Sequence, residues 1–234
     1  MAVRTKLLGL TGNQLKILAL ILMTVDHLGA LLLTEYEILR VLGRLSMPIF
    51  AWMIAEGCHH TRSRLRYFLT VAVIAILFQT VYYVALGSIK QCILVTFSMS
   101  ILLIYCMDFA SVNKGFLSLC LMGAAFCGAC FVCIFLPRYL PGTNFSIDYG
   151  LGGVLLPVVF FAGKNKPEKL MLGAACLALM AMSMYHLQWY ALLALPVLAL
   201  YNGQKGRGRL KYLFYIYYPL HLAAIYGISL MMEH

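Results

Sequence analysis

The chain is built from apolar blocks of about 20 residues, separated by short polar and basic segments. A helix of that length crosses a bilayer because all its backbone hydrogen bonds close within the segment. The chain is 63% hydrophobic and 11% charged, whereas a soluble domain is about half apolar and a quarter charged. Strong continuous hydropathy does not fit an outer-membrane barrel. We therefore predict an all-α polytopic helical membrane bundle that forms a single integral-membrane domain over residues 1–234.

About nine transmembrane helices are predicted, and the loop charges set their orientation. Nearly all the Lys and Arg residues in loops fall on the side of the N-terminus, whereas Lys90 and Arg138 fall on the other. This bias places the N-terminus in the cytoplasm. Residues 169–202 hold either two barely sufficient spans or one re-entrant hairpin. The spans lie at about 13–34, 38–58, 67–88, 92–108, 115–136, 147–163, 169–185, 187–202 and 211–231.

The net charge of +10 does not indicate nucleic-acid binding, because the basic residues lie in short loops between spans. Among the eight cysteines, Cys127, Cys130 and Cys133 have a spacing that resembles a metal site. Neither His nor a carboxylate accompanies them in that span, so we interpret them as small packing residues. We expect no metal and no disulfide framework.

Ionisable residues concentrate in residues 13–66, and inside a membrane such residues usually mark function. Lys16 and His27 are eleven residues apart, so a helix places them on one stripe with about 16 Å between them along the axis. Histidine is the natural general base near neutral pH, although a neighbouring helix could also satisfy His27 structurally. Asp26 points about 100° away from His27 and therefore serves another helix or a substrate amine.

The next apolar run places Arg40 and Arg44 on one helical face. Arg44 is deep and needs an acidic partner, for which Asp26 is the nearest candidate by depth, whereas Arg40 can snorkel to the surface. Pro48 cannot donate a hydrogen bond to the carbonyl of Arg44, so we expect a kink there. Glu56 either pairs with an arginine of the following loop or takes a direct role.

Three arginines, Arg62, Arg64 and Arg66, follow at the cytoplasmic end of this run. One interpretation is that they only reflect the excess of basic residues in cytoplasmic loops. The other is that they form a binding site for a polyanion, because guanidinium groups bind phosphate well. Further along, Asp148 and Tyr149 open the sixth predicted span, where an Asp is either a helix cap or a site residue.

The last span carries His221 after a Tyr-Pro-Leu sequence. It is either a histidine satisfied in the core or a member of the site. The basic, glycine-rich loop at residues 202–211 lacks a phosphate-loop pattern, so we interpret it as a topology signal.

The residues above lie in motifs that resemble the TraX family. That family is named for an integral-membrane protein that acetylates the N-terminus of conjugative pilin. It is grouped with transmembrane acyltransferases that modify cell-envelope glycans and lysosomal glucosamine. The similar motifs are Leu10-Thr-Gly-Asn-Gln-Leu-Lys16, Met23-Thr-Val-Asp26-His27, Gly43-Arg44-Leu-Ser-Met-Pro48-Ile-Phe50, Glu56-Gly57, His60-Thr61-Arg62, Asp148-Tyr149-Gly150, Tyr201-Asn202-Gly203 and Tyr218-Pro219-Leu220-His221.

The resemblance implies an acyltransferase of the bacterial cytoplasmic (inner) membrane. In it, Lys16 and His27 match a motif of a basic residue, ten intervening residues and a histidine. An acyl-CoA, acetyl-CoA in the simplest case, would rest its phosphates on cytoplasmic basic residues and extend its pantetheine arm toward the histidine. The acyl group would pass to an amine or hydroxyl acceptor: a peptide N-terminus, a glycan or a small molecule. The implied roles are catalysis for His27 and Asp26, acyl-CoA binding for Lys16, Arg44, Arg62, Arg64 and Arg66, and support of the site for Arg40, Glu56, Asp148, Tyr149 and His221.

Two other functions are compatible with the same residues. The first is a proton- or ion-coupled small-molecule transporter, in which Asp26, His27, Arg44 and Glu56 relay protons or ions. The chain shows no internal repeat of the kind that many transporters have. The second is a structural membrane subunit, surrounded by lipid, whose charges only lock the helices together.

Overall fold

The computed structural model describes residues 9–206, 208 and 211–232, and these residues form helices without any strand. Each predicted span corresponds in order to a helical segment. A π-helical turn, Phe131–Phe135, joins two of the helices, and a 3₁₀ helix, His186–Leu193, precedes another. The α-helices are α1 (Gly12–Leu31), α2 (Glu37–Gly43), α3 (Ser46–His60), α4 (Arg64–Leu86), α5 (Ile93–Asn113), α6 (Phe116–Cys130), α7 (Leu136–Tyr139), α8 (Gly150–Ala162), α9 (Lys166–Ser183), α10 (Ala194–Ala199) and α11 (Lys211–Met232).

Within the described residues, five helical stretches are long and apolar enough to cross a membrane. Two shorter apolar helices, Gly150–Ala162 and His186–Ala199, accompany them. The chain is thus a polytopic helical membrane protein, while the count of nine spans and the cytoplasmic N-terminus stay predictions. The five stretches are Gly12–Leu31, Glu37–His60, Arg64–Val84, Ile93–Asn113 and Phe116–Tyr139.

The fold divides into two compact units. The first unit comprises residues 1–53 and 184–234, and the second comprises residues 54–183. The first contains α1, α2, the 3₁₀ helix, α10 and α11, whereas the second contains α4 to α9, and α3 begins in the first and ends in the second. A single domain over residues 1–234 stays a prediction.

In the first unit, α1 and α2 approach closely at two glycines. A Cβ on Gly43 would lie 2.2 Å from Asp26, and a Cβ on Gly29 would lie 2.7 Å from the Cβ of Leu39. Small residues let membrane helices approach in this way. The kink expected from Pro48 is present as a break in the helix between Gly43 and Ser46.

The N-terminus of α1 is capped twice. Thr11 is the N-cap residue, and Thr11 and Gln14 form a reciprocal capping box. The loop after α10 adds two backbone acceptors: the amide of Gly12 donates to the carbonyl of Gln204 at 2.8 Å, and the amide of Asn13 donates to the carbonyl of Lys205 at 2.9 Å. Residues 202–206 therefore hold the start of α1, a structural role that their charge alone does not indicate.

The segment after Tyr185 is more extended than an α-helix with the same number of residues. His186–Leu193 is a 3₁₀ helix and Ala194–Ala199 is α-helical. Because a 3₁₀ helix rises about 2.0 Å per residue against about 1.5 Å in an α-helix, these residues extend about 25 Å instead of about 21 Å.

In the second unit, buried hydroxyl groups join α5 to the start of α8. Ser100, which is fully buried, donates to the carbonyl of Val154 at 2.7 Å. Thr96, also fully buried, donates to the carbonyl of Asp148 at 2.8 Å. Hydroxyl-to-backbone bonds of this kind join helices inside membranes.

Candidate functional site

Asp26 on α1 is held by two arginines of the first unit. The Nη2 atom of Arg44 donates to Oδ1 and Oδ2 of Asp26 at 2.8 and 2.9 Å. The Nη1 atom of Arg40 donates to Oδ2 at 2.8 Å and to the backbone carbonyl of Asp26 at 3.0 Å. The expected pairing of Arg44 with Asp26 is confirmed, whereas Arg40 pairs with the same carboxylate and does not snorkel away from it.

This ion cluster is largely removed from solvent. The side chain of Asp26 is 13% exposed, that of Arg44 is 5% exposed and that of Arg40 is 25% exposed. Arg44 also donates through Nη1 to the hydroxyl of Tyr185 at 2.6 Å. Two guanidinium groups share one carboxylate, so the cluster keeps an excess positive charge. Both carboxylate oxygens accept charged hydrogen bonds, so the two arginines fix the position of the Asp26 carboxylate.

His27 faces a different helix, α11, and meets His221 there. The Nδ1 atom of His27 lies 3.3 Å from Nε2 of His221, and the two rings meet edge to face with their centroids 5.0 Å apart. The structure thus brings together two histidines that are 194 residues apart in the chain. Both were candidates from the sequence, but their contact was not predicted.

Backbone carbonyls fix the tautomer of each ring. Nδ1 of His27 lies 2.8 Å from the carbonyl of Met23, and Nδ1 of His221 lies 2.9 Å from the carbonyl of Tyr217. A carbonyl only accepts, so each Nδ1 must carry a proton to make its bond. The unprotonated Nε2 of His221 lies 3.3 Å from Nδ1 of His27, whose single proton it shares with the carbonyl of Met23. This leaves the lone pair on Nε2 of His27 available for another proton.

Two tyrosines of α11 surround His221. The ring of Tyr217 stacks on it at 5.2 Å, and the ring of Tyr218 meets it edge to face at 5.7 Å. Thr24 donates to the carbonyl of Leu20 at 2.9 Å, so Tyr217 is the donor in the 2.6 Å bond between the two hydroxyl groups. The orientation of His221 is therefore tied back to α1.

Lys16 lies half-buried on the first turns of α1. Because α1 is unbroken from Gly12 to Leu31, the predicted stripe that joins Lys16 to His27 is retained. Its role in binding phosphate stays a prediction. The backbone amides of Gly12 and Asn13 already donate to loop carbonyls and do not add to an anion site there.

Glu56 belongs to the second unit and pairs with a lysine. Its Oε1 atom lies 3.0 Å from Nζ of Lys169, and the two side chains are 12% and 14% exposed. Lys169 lies on α9, so this partner is neither of the two alternatives that the sequence offered for Glu56, a loop arginine or a direct role. Nδ1 of His60 lies 3.9 Å from the other carboxylate oxygen.

The three arginines after α3 are exposed but not equivalent. Arg62 lies between α3 and α4, while Arg64 and Arg66 lie in the first turn of α4. Arg64 pairs with Asp108 of α5, and its guanidinium lies 5.6 Å from the ring centre of Tyr105. Cations at a helix N-terminus oppose the helix dipole, so Arg64 and Arg66 are not there to stabilise α4.

Asp148 and Tyr149 precede α8 in the second unit. Tyr149 occupies the N-cap position with φ 58°, a left-handed conformation that is uncommon for a residue with a side chain. The N-cap of α8 is therefore Tyr149 and not Asp148, which the sequence offered as a possible cap. No part of the structure tests a direct role for either residue in a site.

Sequence reasoning missed Tyr185, Tyr217 and Thr24. Tyr217 could have been found, because it lies four residues before His221 on the same helical face. Tyr185 carried no such signal, since 141 residues separate it from Arg44 in the chain.

Comparison with known proteins identifies the family. A family model described as TraX protein matches residues 11–229. The chain is 24% identical over 249 residues to the "Probable fimbrial assembly protein FimC, serogroup H1" of Dichelobacter nodosus, covering 94% of this chain and 96% of that protein. It is also 48% identical over 40 residues to the "Uncharacterized protein RP591" of Rickettsia prowazekii (strain Madrid E), covering 17% and 16% of the two chains. No solved structure matches. The motifs and the family match agree, and this chain belongs to the TraX family.

Proposed function

We propose that this membrane protein is an acyl-CoA-dependent acyltransferase with His27 as its general base. In the simplest case, it transfers an acetyl group from acetyl-CoA to an amine or hydroxyl acceptor within or across the membrane. The observation that carries the proposal is the position of the His27 ring, whose Nδ1 atom lies 2.8 Å from the carbonyl of Met23 and 3.3 Å from Nε2 of His221. Its Nδ1 proton is held by Met23 and His221, so its Nε2 atom presents a lone pair.

The chemistry requires one base and one site for negative charge. As the acceptor nitrogen or oxygen attacks the thioester carbonyl, Nε2 of His27 takes the proton that the acceptor loses. The carbon–sulfur bond then breaks, and the CoA thiolate takes up that proton. Direct transfer and transfer through an acyl-histidine both require an unprotonated Nε2.

The ion cluster of Asp26, Arg40 and Arg44 is suited to stabilise the negative charge that develops on the carbonyl oxygen of the thioester. Arg40 and Arg44 carry two positive charges against the single charge of Asp26, which precedes His27 on α1. A preorganised positive group stabilises the oxygen that becomes negative during acyl transfer. We assign Asp26 to holding the arginines in place, a positioning role that replaces the catalytic role expected from the sequence.

The donor and the acceptor are assigned by chemistry and by family. Lys16, Arg62, Arg64 and Arg66 are the basic residues proposed to contact the phosphates of acyl-CoA. The TraX family is associated with pilin acetylation, and a relative is named as a fimbrial assembly protein. These two facts favour the amino terminus of a pilin-like subunit as the acceptor.

A transporter is less well supported. A relay needs side chains that are free to exchange partners, but the carboxylate of Asp26 accepts hydrogen bonds from two arginines. The carboxylate of Glu56 is likewise paired with Lys169.

The proposal can be tested with purified protein in detergent. Acetyl-CoA and a short alanine peptide with a free amino terminus are supplied, and the release of CoA thiol is measured. We expect thiol release by the wild type and only background release by His27→Ala. His186→Gln is the matched control, because His186 is exposed and contacts only Glu37 among the described side chains. Intact activity in His27→Ala would contradict the assignment of the base, and a wild type that binds no acetyl-CoA would favour the transporter.

A further inference from the structure

Gln188 is a buried amide without a partner. Its side chain lies on the 3₁₀ helix of the first unit, and the residue is fully buried. Neither its Nε2 nor its Oε1 makes a hydrogen bond to any of the residues that the structure describes.

Such a group is costly in an integral membrane protein. A buried carboxamide without hydrogen bonds loses its hydration and gains nothing in return. Leu or Met would fill the same volume without this cost. The presence of glutamine therefore calls for a polar partner outside the chain, and each unsatisfied group in a native structure needs such an explanation.

The position of Gln188 links it to the arginine cluster. The 3₁₀ helix packs against α2. The residue before this helix, Tyr185, binds Arg44 through its hydroxyl, and the backbone amide of Gln188 donates to the carbonyl of Tyr185 at 3.0 Å. Residues three apart in a 3₁₀ helix lie on one face, and Gln188 and Ala191, both fully buried, share the inner face.

We infer that Gln188 is a ligand-binding residue that recognises a secondary amide. A carboxamide offers one acceptor and two donors, which complement the N–H and C=O of an amide group. The inference rests on the proposed function for the source of that amide. The pantetheine arm of acyl-CoA contains secondary amides, and so does a peptide acceptor.

The test compares Gln188→Met with the wild type in ligand binding and in thermal unfolding. The probes are acetyl-CoA, an alanine tripeptide, and 3′,5′-ADP, which has nucleotide phosphates but lacks an amide. We expect Gln188→Met to unfold at the same or a higher temperature without ligand, because it loses an unsatisfied polar group. We expect it to weaken the binding of one amide-containing probe about tenfold and to leave 3′,5′-ADP binding unchanged.

The weakened probe identifies the source of the amide. If Gln188→Met binds acetyl-CoA more weakly than the wild type does, Gln188 contacts the pantetheine arm. If it binds the peptide more weakly, Gln188 contacts the acceptor. Equal affinities of wild type and Gln188→Met for both probes would overturn the inference while leaving the acyltransferase proposal intact. A lower unfolding temperature without ligand, in both Gln188→Met and Gln188→Leu, would also overturn it by showing a structural role. A wild type that binds neither amide probe would overturn the inference and the donor assignment together.

Discussion

Replacing Gly43 by alanine should dismantle the ion cluster without removing any of its charges. A Cβ at this position would lie 2.2 Å from Cβ and Oδ1 of Asp26, and ordinary contacts begin at about 3.4 Å. Asp26 would have to move by about 1.2 Å. Its bonds of 2.8 to 2.9 Å to Arg40 and Arg44 cannot persist unless both arginines follow.

The expected loss can be estimated from these contacts. Breaking a buried ion pair costs about 3–5 kcal/mol, and the lower figure applies because Arg40 is 25% exposed. The helix preference of alanine over glycine returns up to about 1 kcal/mol. We therefore expect Gly43→Ala to lose about 2 kcal/mol of stability. A displacement of about 1 Å in a catalytic site also costs up to about 100-fold in activity.

Two matched glycines provide the controls. In Gly29→Ala the new Cβ would meet the Cβ of Leu39 at 2.7 Å in the same helix pair, whereas it would meet Arg40 only at 3.4 Å, an ordinary contact distance. In Gly128→Ala nothing lies within 4 Å of the new Cβ. Unfolding in mixed detergent and thiol release from acetyl-CoA are measured for all three variants. We expect Gly29→Ala to lose stability with less loss of activity, and Gly128→Ala to match the wild type or exceed its stability. The reasoning is refuted if Gly43→Ala retains wild-type activity, or if Gly29→Ala is equally inactive.

Three further predictions concern the histidine contact and the second unit. His221→Phe keeps a ring beside Tyr217 but removes the acceptor for His27, so kcat should fall about tenfold at unchanged KM, as initial-rate kinetics would show. Tyr217→Phe should lower stability by about 1 kcal/mol in an unfolding titration, because only the bond of its hydroxyl group to α1 is lost. Glu56→Gln alone should destabilise by about 3 kcal/mol, and the double variant with Lys169→Met should recover part of this loss in a double-mutant cycle. A double variant no more stable than Glu56→Gln would contradict the pairing.

The fold was predictable where the sequence signal is local. Apolar blocks of about 20 residues indicate helices by length alone, and Pro48 indicates a break four residues earlier. The pairing of Asp26 with Arg44 was predictable from their similar depth in the membrane. Few charged residues occupy the apolar runs, and a deep arginine needs a carboxylate. The helices and the break were predictable from local rules, and the ion pair was predictable because few charged residues could take part in it.

Other features depend on contacts between distant parts of the chain. Lys169 lies 113 residues from Glu56, and nothing in either segment distinguishes it from the other basic residues near helix ends. The 3₁₀ form of His186–Leu193 was not predictable, because periodicity does not separate a short 3₁₀ helix from an α-helix. The partner of His27 could not be identified, since His221 was one of several histidines in the sequence.

Two successive residues of α1 contact different helices of the candidate site. Asp26 turns toward α2 and His27 turns toward α11, because successive side chains of a helix diverge by about 100°. Arg40 binds the backbone carbonyl of Asp26 as well as its carboxylate, so the cluster fixes the backbone of α1 directly beside His27. Met23, one turn earlier, fixes the ring of His27 through its carbonyl. The two arginines therefore act on the proposed base by holding the α1 backbone in place. This gives a reason why a carboxylate that points away from His27 lies next to it in the sequence.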